Sequence, residues 1–232
     1  MTYKEFIKIY NKYEKPASTF YHKYAPKKIA KLISYPLYKI GITPNLISSF
    51  SFFLLLASVA FLYFKEDSVG IFIFFVLSLL SYSLDCVDGV LARITNRSSD
   101  FGGFYDLFLD RLGEAVLYYF LFLHFLTNEI ITSYYLISIS LMIMFYYRIA
   151  SILRSFKLKK LDGTMKKTKK SLISLFVAFL YEFIDTGTFY FLLTISLFFN
   201  FSEFLVLFYG LISLVLTLGI LLFSYIRKDN NN

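Results

Sequence analysis

Four aspartates, Asp85, Asp88, Asp106 and Asp110, stand close together in a stretch that is otherwise apolar. Asp85 and Asp88 are three residues apart and Asp106 and Asp110 four apart, so on helices each pair shares a face. Four carboxylates this close do not all stay ionised unaided; either some carry protons or cations fill the site. The donor set is all oxygen. His22 and His124 fall elsewhere, and Cys86 points off the Asp85/Asp88 face. Such a set suits a hard divalent cation, Mg²⁺ or Mn²⁺, one or two ions, rather than zinc. The usual partner of magnesium held by carboxylates is a phosphate or pyrophosphate group.

The elements that must position these aspartates are membrane helices. Of the 232 residues, 57% are hydrophobic and only 17% charged, against about a quarter charged in a soluble domain. Long apolar runs recur without the alternation of a β-barrel, which predicts an all-α integral membrane protein. The expected spans are 45–64, 69–93, 103–126, 134–153, one crossing within 171–200, and 203–225. Residues 171–200 read either as one tilted span interrupted by Glu182 and Asp185 or as an interfacial helix, 171–184, feeding a short span, 185–200. Basic residues flank the N-terminal segment, the loop after the second span, the loop after the fourth and the C-terminal end. Six spans with both termini cytoplasmic satisfy every loop.

With span 2 ending near Arg93 and span 3 starting near Gly102, the two are antiparallel neighbours. Asp85 and Asp110 then lie level, roughly 12 Å inside the cytoplasmic end, and Asp88 and Asp106 one turn shallower. The spacing therefore predicts two tiers of facing carboxylates. Gly89 and Ala92 keep their face of the helix open to a ligand, and Gly102 allows close packing of span 3. Arg93 reads equally as a phosphate contact or as an interfacial anchor.

Residues 1–40 form a separate amphipathic segment, with Lys4, Lys8 and Lys12 at helical spacing, a break at Pro16, and a second basic helix from about 25 to 38. Both helices are expected to lie in the headgroup region with Lys reaching lipid phosphate. Residues 41–228 make the transmembrane domain. The net charge of +8 has no nucleic-acid motif beside it and is assigned to the bilayer surface rather than to DNA or RNA. The single Cys86 excludes an internal disulfide. No cleavable signal peptide is evident, so the first span is expected to direct insertion.

The full spacing, Asp-x2-Asp-Gly-x2-Ala-Arg-x8-Gly-x3-Asp-x3-Asp, is met at every fixed position by Asp85, Asp88, Gly89, Ala92, Arg93, Gly102, Asp106 and Asp110. It resembles the signature of the CDP-alcohol phosphatidyltransferases. Pro44-Asn45-Leu46-Ile47-Ser48 is similar to that family's Pro-Asn-x-x-Thr element, with serine for threonine. The resemblance implies transfer of a phosphatidyl group from a CDP-linked lipid to an alcohol, with release of CMP. It implies that Asp85, Asp88, Asp106 and Asp110 hold the metal and that Asp110 is also the general base. Asp85, Gly89, Ala92 and Gly102 would line the CDP site, joined by Arg93, Asn45 and Ser48. The site would open to the cytoplasm, admitting CDP and a small polar alcohol from water while acyl chains stay in lipid.

The acceptor is not named by the motif. Arg148 and Arg154, with the lysines between 157 and 170, would suit a phosphorylated polyol such as inositol phosphate or glycerol 3-phosphate, or they are simply the cytoplasmic charge of the loop. Glu182 and Asp185 are either acceptor contacts or a helix start. Family members are often homodimers, though no segment of this chain marks a dimer face. A divalent-cation transporter is the alternative, since intramembrane carboxylates can also bind a transported ion. The chain shows no inverted repeat, and its carboxylates gather toward one side, which favours the enzyme.

Overall fold

In the computed structural model every described element is a helix: α1 (Tyr3–Tyr13), α2 (Phe20–Tyr24), α3 (Pro26–Ile40), α4 (Pro44–Phe64), α5 (Ser68–Ile94), α6 (Asp100–Thr127), α7 (Ile137–Tyr147), α8 (Thr186–Phe198) and α9 (Ser202–Asp229). The structure describes residues 1–16, 19–65, 67–127, 137–147 and 185–229, with side chains in the last helix described to 219. Among the described residues, three helical stretches are long and apolar enough to cross a membrane: Pro44–Phe64, Ser68–Ile94 and Ser202–Gly219. α6 is as long as α9, but Asp106, Asp110, Arg111 and Glu114 keep it out of that class. α7 and α8 are shorter apolar helices. The expected fourth span is described only in part, and the segment 171–184 lies outside the described residues.

Local chemistry explains the bounds of the helices that carry the aspartates. Thr43 is extended and Pro44 fills the first turn of α4, where a missing N–H costs nothing. Asp67 caps α5 by accepting from the backbone N–H groups of Val69 at 3.1 Å and Gly70 at 2.9 Å. Ser99 does the same for α6, accepting from Gly102 N–H at 3.0 Å. Gly41 ends α3 in the left-handed region, φ 77°, which turns the chain sharply into α4 at no steric cost.

The chain divides into two compact units. The first, residues 1–120 with 185–200, contains all four aspartates. Its α4 and α5 are held close by a reciprocal pair: Ser51 Oγ donates to the Ser81 carbonyl at 2.9 Å, and Ser81 Oγ to the Ser51 carbonyl at 2.7 Å. α6 lies tightly on α4, since a Cβ at Gly113 would meet Leu55 Cδ2 at 2.6 Å. α8 lies as tightly on α5, since a Cβ at Gly187 would meet the Tyr82 ring at 2.3 Å. In the second unit, α7 and α9 approach closely at Gly210, where a Cβ would meet Ser140 Cβ at 2.4 Å, flanked by buried Leu141, Met144, Val206 and Tyr209.

The N-terminal segment is more than a surface covering. Phe6 and Tyr10 of α1 are fully buried in one cluster with Ala30, Ile47, Val87, Val90 and Leu91. At 100° per residue, Val87 and Val90 lie on the face of α5 roughly opposite Asp85 and Asp88, with Leu91 between the two faces. One side of α5 therefore binds α1 while the other carries the carboxylates. A further element appears between the two expected N-terminal helices: α2, capped by Thr19 and ended at Ala25, with Pro26 opening α3.

Candidate active site

Asp85 and Asp88 reach across from α5 to Asp106 on α6. One carboxylate oxygen from each of the three lies within 4.8 Å of the others, and this is the one metal-competent group among the described residues. The group crosses the two tiers that helical spacing predicts, joining Asp85 of the deeper one to Asp88 and Asp106 of the shallower. Asp110 is not a member of the three-oxygen group; its carboxylate stands 3.8 Å from Arg111 Nη2. The donors are all oxygen, and their spacing fits one hard divalent ion.

Two cavities meet at this group, sharing Ser48 and Asp106. The wider, about 190 Å³, opens on the shallow side. Asn45 and Ser48 of α4 line it, with Asp88, Gly89, Ala92 and Arg93 of α5 and Gly102 of α6. The narrower, about 40 Å³, lies on the other side of the carboxylates, lined by Asp85, Asp110, Glu114, Tyr82 and Thr186. It has room for about three water molecules.

Each motif residue has a place in this geometry. Ser48 Oγ donates to Asp88 Oδ2, so its hydroxyl orients a carboxylate of the group. A Cβ at Gly102 would lie 3.2 Å from Asn45 Oδ1 and 3.1 Å from Ser99 Oγ, so glycine there leaves Asn45 undisturbed. Gly89 sits beneath the Arg93 guanidinium, whose Nη1 would be 3.4 Å from an added Cβ. Arg93 is both wall and anchor: it lines the wide cavity, and its Nε donates to the Tyr13 carbonyl at 3.0 Å. Cys86 indeed faces away from the carboxylates, its Sγ 3.1 Å from His22 Nε2. Burial pulls the His22 pKa below its ordinary value, which keeps that imidazole neutral near pH 7.

A family model for the CDP-alcohol phosphatidyltransferases matches residues 41–219. The chain belongs to the CDP-alcohol phosphatidyltransferase family. An archaetidylinositol phosphate synthase of Pyrococcus horikoshii is 39% identical over 90 residues, 38% of this chain and 45% of that protein. An uncharacterized protein of Aquifex aeolicus is 36% identical over 87 residues, 38% of this chain and 42% of that one. The matched stretch thus spans less than half the length of either relative. Among solved structures, the phosphatidylinositol phosphate synthase of Mycobacterium tuberculosis with CDP-DAG bound shares the fold, with a TM-score of 0.55 and 12% identity over 84% of this chain and 92% of that one.

This phosphatidyltransferase-family chain also carries site residues outside the motif. Glu114 is 2% exposed and pairs with Arg111 Nη1, while Thr186 Oγ1 donates to its other oxygen at 2.8 Å. The signal was available: Glu114 follows Asp110 by four residues, continuing the stripe Asp106–Asp110 along α6. Thr186 and Tyr82 had no such signal, because contacts across 72 and 103 residues leave no local pattern. Asp185 is the N-cap of α8, accepting from Thr188 N–H at 3.3 Å and from Tyr82 O–H at 2.9 Å. It is the helix start of the two alternatives considered for it. Arg148, Arg154, the lysines of 157–170 and Glu182 lie outside the described residues.

Proposed function

We propose that this protein is an integral membrane enzyme that transfers a phosphatidyl-type group from a CDP-linked lipid to a phosphorylated polyol, inositol phosphate foremost, releasing CMP. The observation that carries the reading is the convergence of Asp85, Asp88 and Asp106 at the wall shared by a wide and a narrow cavity. Support for the acceptor comes from the names of the relatives, an archaetidylinositol phosphate synthase and a phosphatidylinositol phosphate synthase.

In this reading the wide cavity takes the CDP portion. Gly89, Ala92 and Gly102 leave room for it, Asn45 and Arg93 contact it, and Ser48 holds Asp88 in place. Asp85, Asp88, Asp106 and Asp110 bind one or two Mg²⁺, with Mn²⁺ as a substitute. When bound, such an ion neutralises charge on the pyrophosphate and on the departing CMP. Asp110 accepts the acceptor hydroxyl proton as that oxygen attacks the lipid-bearing phosphorus. The new P–O bond forms, the P–O bond to CMP breaks, and its electron pair leaves on CMP. Arg111, fixed by Glu114, stands beside the base. Six spans with both termini and the active site on the cytoplasmic side would let CDP-lipid and polyol meet there, with residues 1–40 at the interface and 41–228 as the catalytic domain. A homodimer is the expected assembly.

The test is CMP release by the detergent-purified protein supplied with Mg²⁺, CDP-diacylglycerol and a panel of alcohols: inositol 1-phosphate, glycerol 3-phosphate, serine and choline. Release with inositol 1-phosphate alone supports the reading in full. Release with another alcohol keeps the reaction and replaces the acceptor. Absence of CMP with every acceptor, in protein shown to be folded, would overturn it.

A further inference from the structure

One wall of the wide cavity comes from outside the catalytic helices. Lys15, in the linker that follows α1, lines it together with Arg93 and Arg97. The backbone of that linker is tied down on two sides. From α5, Arg93 Nε donates to the Tyr13 carbonyl at 3.0 Å. From α3, Lys27 Nζ donates to the Lys15 carbonyl and lies 3.6 Å from Glu14, and Lys31 Nζ donates to Asn11 Oδ1 at 2.7 Å. Behind these ties, Phe6 and Tyr10 are fully buried against α5. Pro16 disfavours helix at the residue before it, so Lys15 leaves the register of Lys4, Lys8 and Lys12. None of those three lines either cavity. Lys15 is exposed.

The charges of the cavity are segregated. Asp88 and Asp106 belong to the cation-binding group, whereas among the described residues Lys15, Arg93 and Arg97 form no ion pair with any carboxylate. A tethered lysine that adds a cation to a cavity already holding two arginines suits a polyanion. We infer that Lys15 is a phosphate contact of the nucleotide-lipid substrate, and that the N-terminal segment is one wall of the nucleotide site rather than a bilayer anchor alone. The ligand chemistry is a nucleoside diphosphate. This rests on the assignment of the wide cavity to the CDP group. The competing use of the same ammonium is a lipid headgroup phosphate.

Soluble CDP separates the two uses, because it has no acyl chain and a neutral detergent supplies no anionic headgroup. Calorimetric titration of the full chain with CDP and Mg²⁺ is expected to show binding that weakens about tenfold in Lys15→Ala, the scale of a hydrogen bond to a charged group. Lys15→Arg should retain most of the affinity, and Lys12→Ala, on the same segment, all of it. In turnover, Lys15→Ala should raise KM for the CDP-lipid and leave KM for the polyol unchanged. Equal CDP affinity in wild type and Lys15→Ala overturns the inference and leaves the proposed reaction standing; a lysine serving lipid alone would give that result. A folded wild-type protein that binds no CDP overturns both.

Discussion

The two cavities that meet at Asp106 have opposite chemistry. The wide one pairs small residues with cations, Gly89, Ala92 and Gly102 with Lys15, Arg93 and Arg97. The narrow one sets acids and hydroxyls, Asp85, Asp110, Glu114, Tyr82 and Thr186, beside apolar Phe52, Leu55 and Leu109, and has no glycine. A cavity of the first kind suits a bulky anion brought close to backbone. One of the second kind suits a hydroxyl group whose proton must be taken and held. In the proposed reaction the wide cavity serves binding and the narrow one chemistry, with the three-oxygen group between. α4, α5 and α6 serve both sides, whereas the N-terminal linker serves only the wide cavity and α8 only the narrow one.

That division can be broken at its hinge or sharpened at either end. The largest effect is expected for Asp106→Asn, which touches both cavities: turnover should fall about 10³-fold, and Mg²⁺-dependent CDP binding should weaken with it. Preserved CDP binding would place the metal-held anion elsewhere. Asp110→Asn belongs to the narrow side, and single-turnover assays should find CMP release down by about 10²- to 10³-fold while CDP binding stays measurable and falls far less than turnover. Equal losses in both assays would erase the distinction between the cavities. Glu114→Gln removes a buried charge that faces Arg111, at a cost of about 3 kcal/mol. Thermal unfolding in detergent should register it as a drop in Tm of roughly 6–12 °C. On the wide side, Gly102→Leu pushes into Asn45 and Ser99, and KM for the CDP-lipid should rise about tenfold with kcat little changed. The smallest effect is expected for Thr186→Val, which loses one hydrogen bond to Glu114, about 1 kcal/mol by thermal unfolding.

How far the sequence foretold this site depends on the distance between partners. Asp85, Asp88, Asp106 and Asp110 were legible because spacings of three and four residues report a shared helix face directly. The bounds of α4 and α5 were legible because apolar runs end at Pro44, Asp67 and Thr95. Arg93 was legible only as a choice, since one guanidinium can point two ways at once and the Tyr13 carbonyl it meets is 80 residues away. The docking of α1 onto α5 was hidden for a similar reason. Phe6 and Tyr10 look like interfacial aromatics in a basic helix, and only the opposite face of α5 reveals their partner. Glu114 was overlooked although its four-residue spacing from Asp110 was in plain view. An acid deep in an apolar helix is informative even when it lies just outside a recognised pattern.

The central claim is that the aspartate group between the two cavities transfers a phosphate-linked lipid from CDP to a polyol phosphate. It is tested most directly by following CMP release from CDP-diacylglycerol with inositol 1-phosphate, in wild type and in Asp110→Asn, with Mg²⁺ and with excess EDTA. The account predicts CMP from the wild type with Mg²⁺, loss of that signal in EDTA, and a variant that binds CDP but releases almost no CMP. A folded wild type that yields no CMP, or an Asp110→Asn variant that turns over at the wild-type rate, would contradict it.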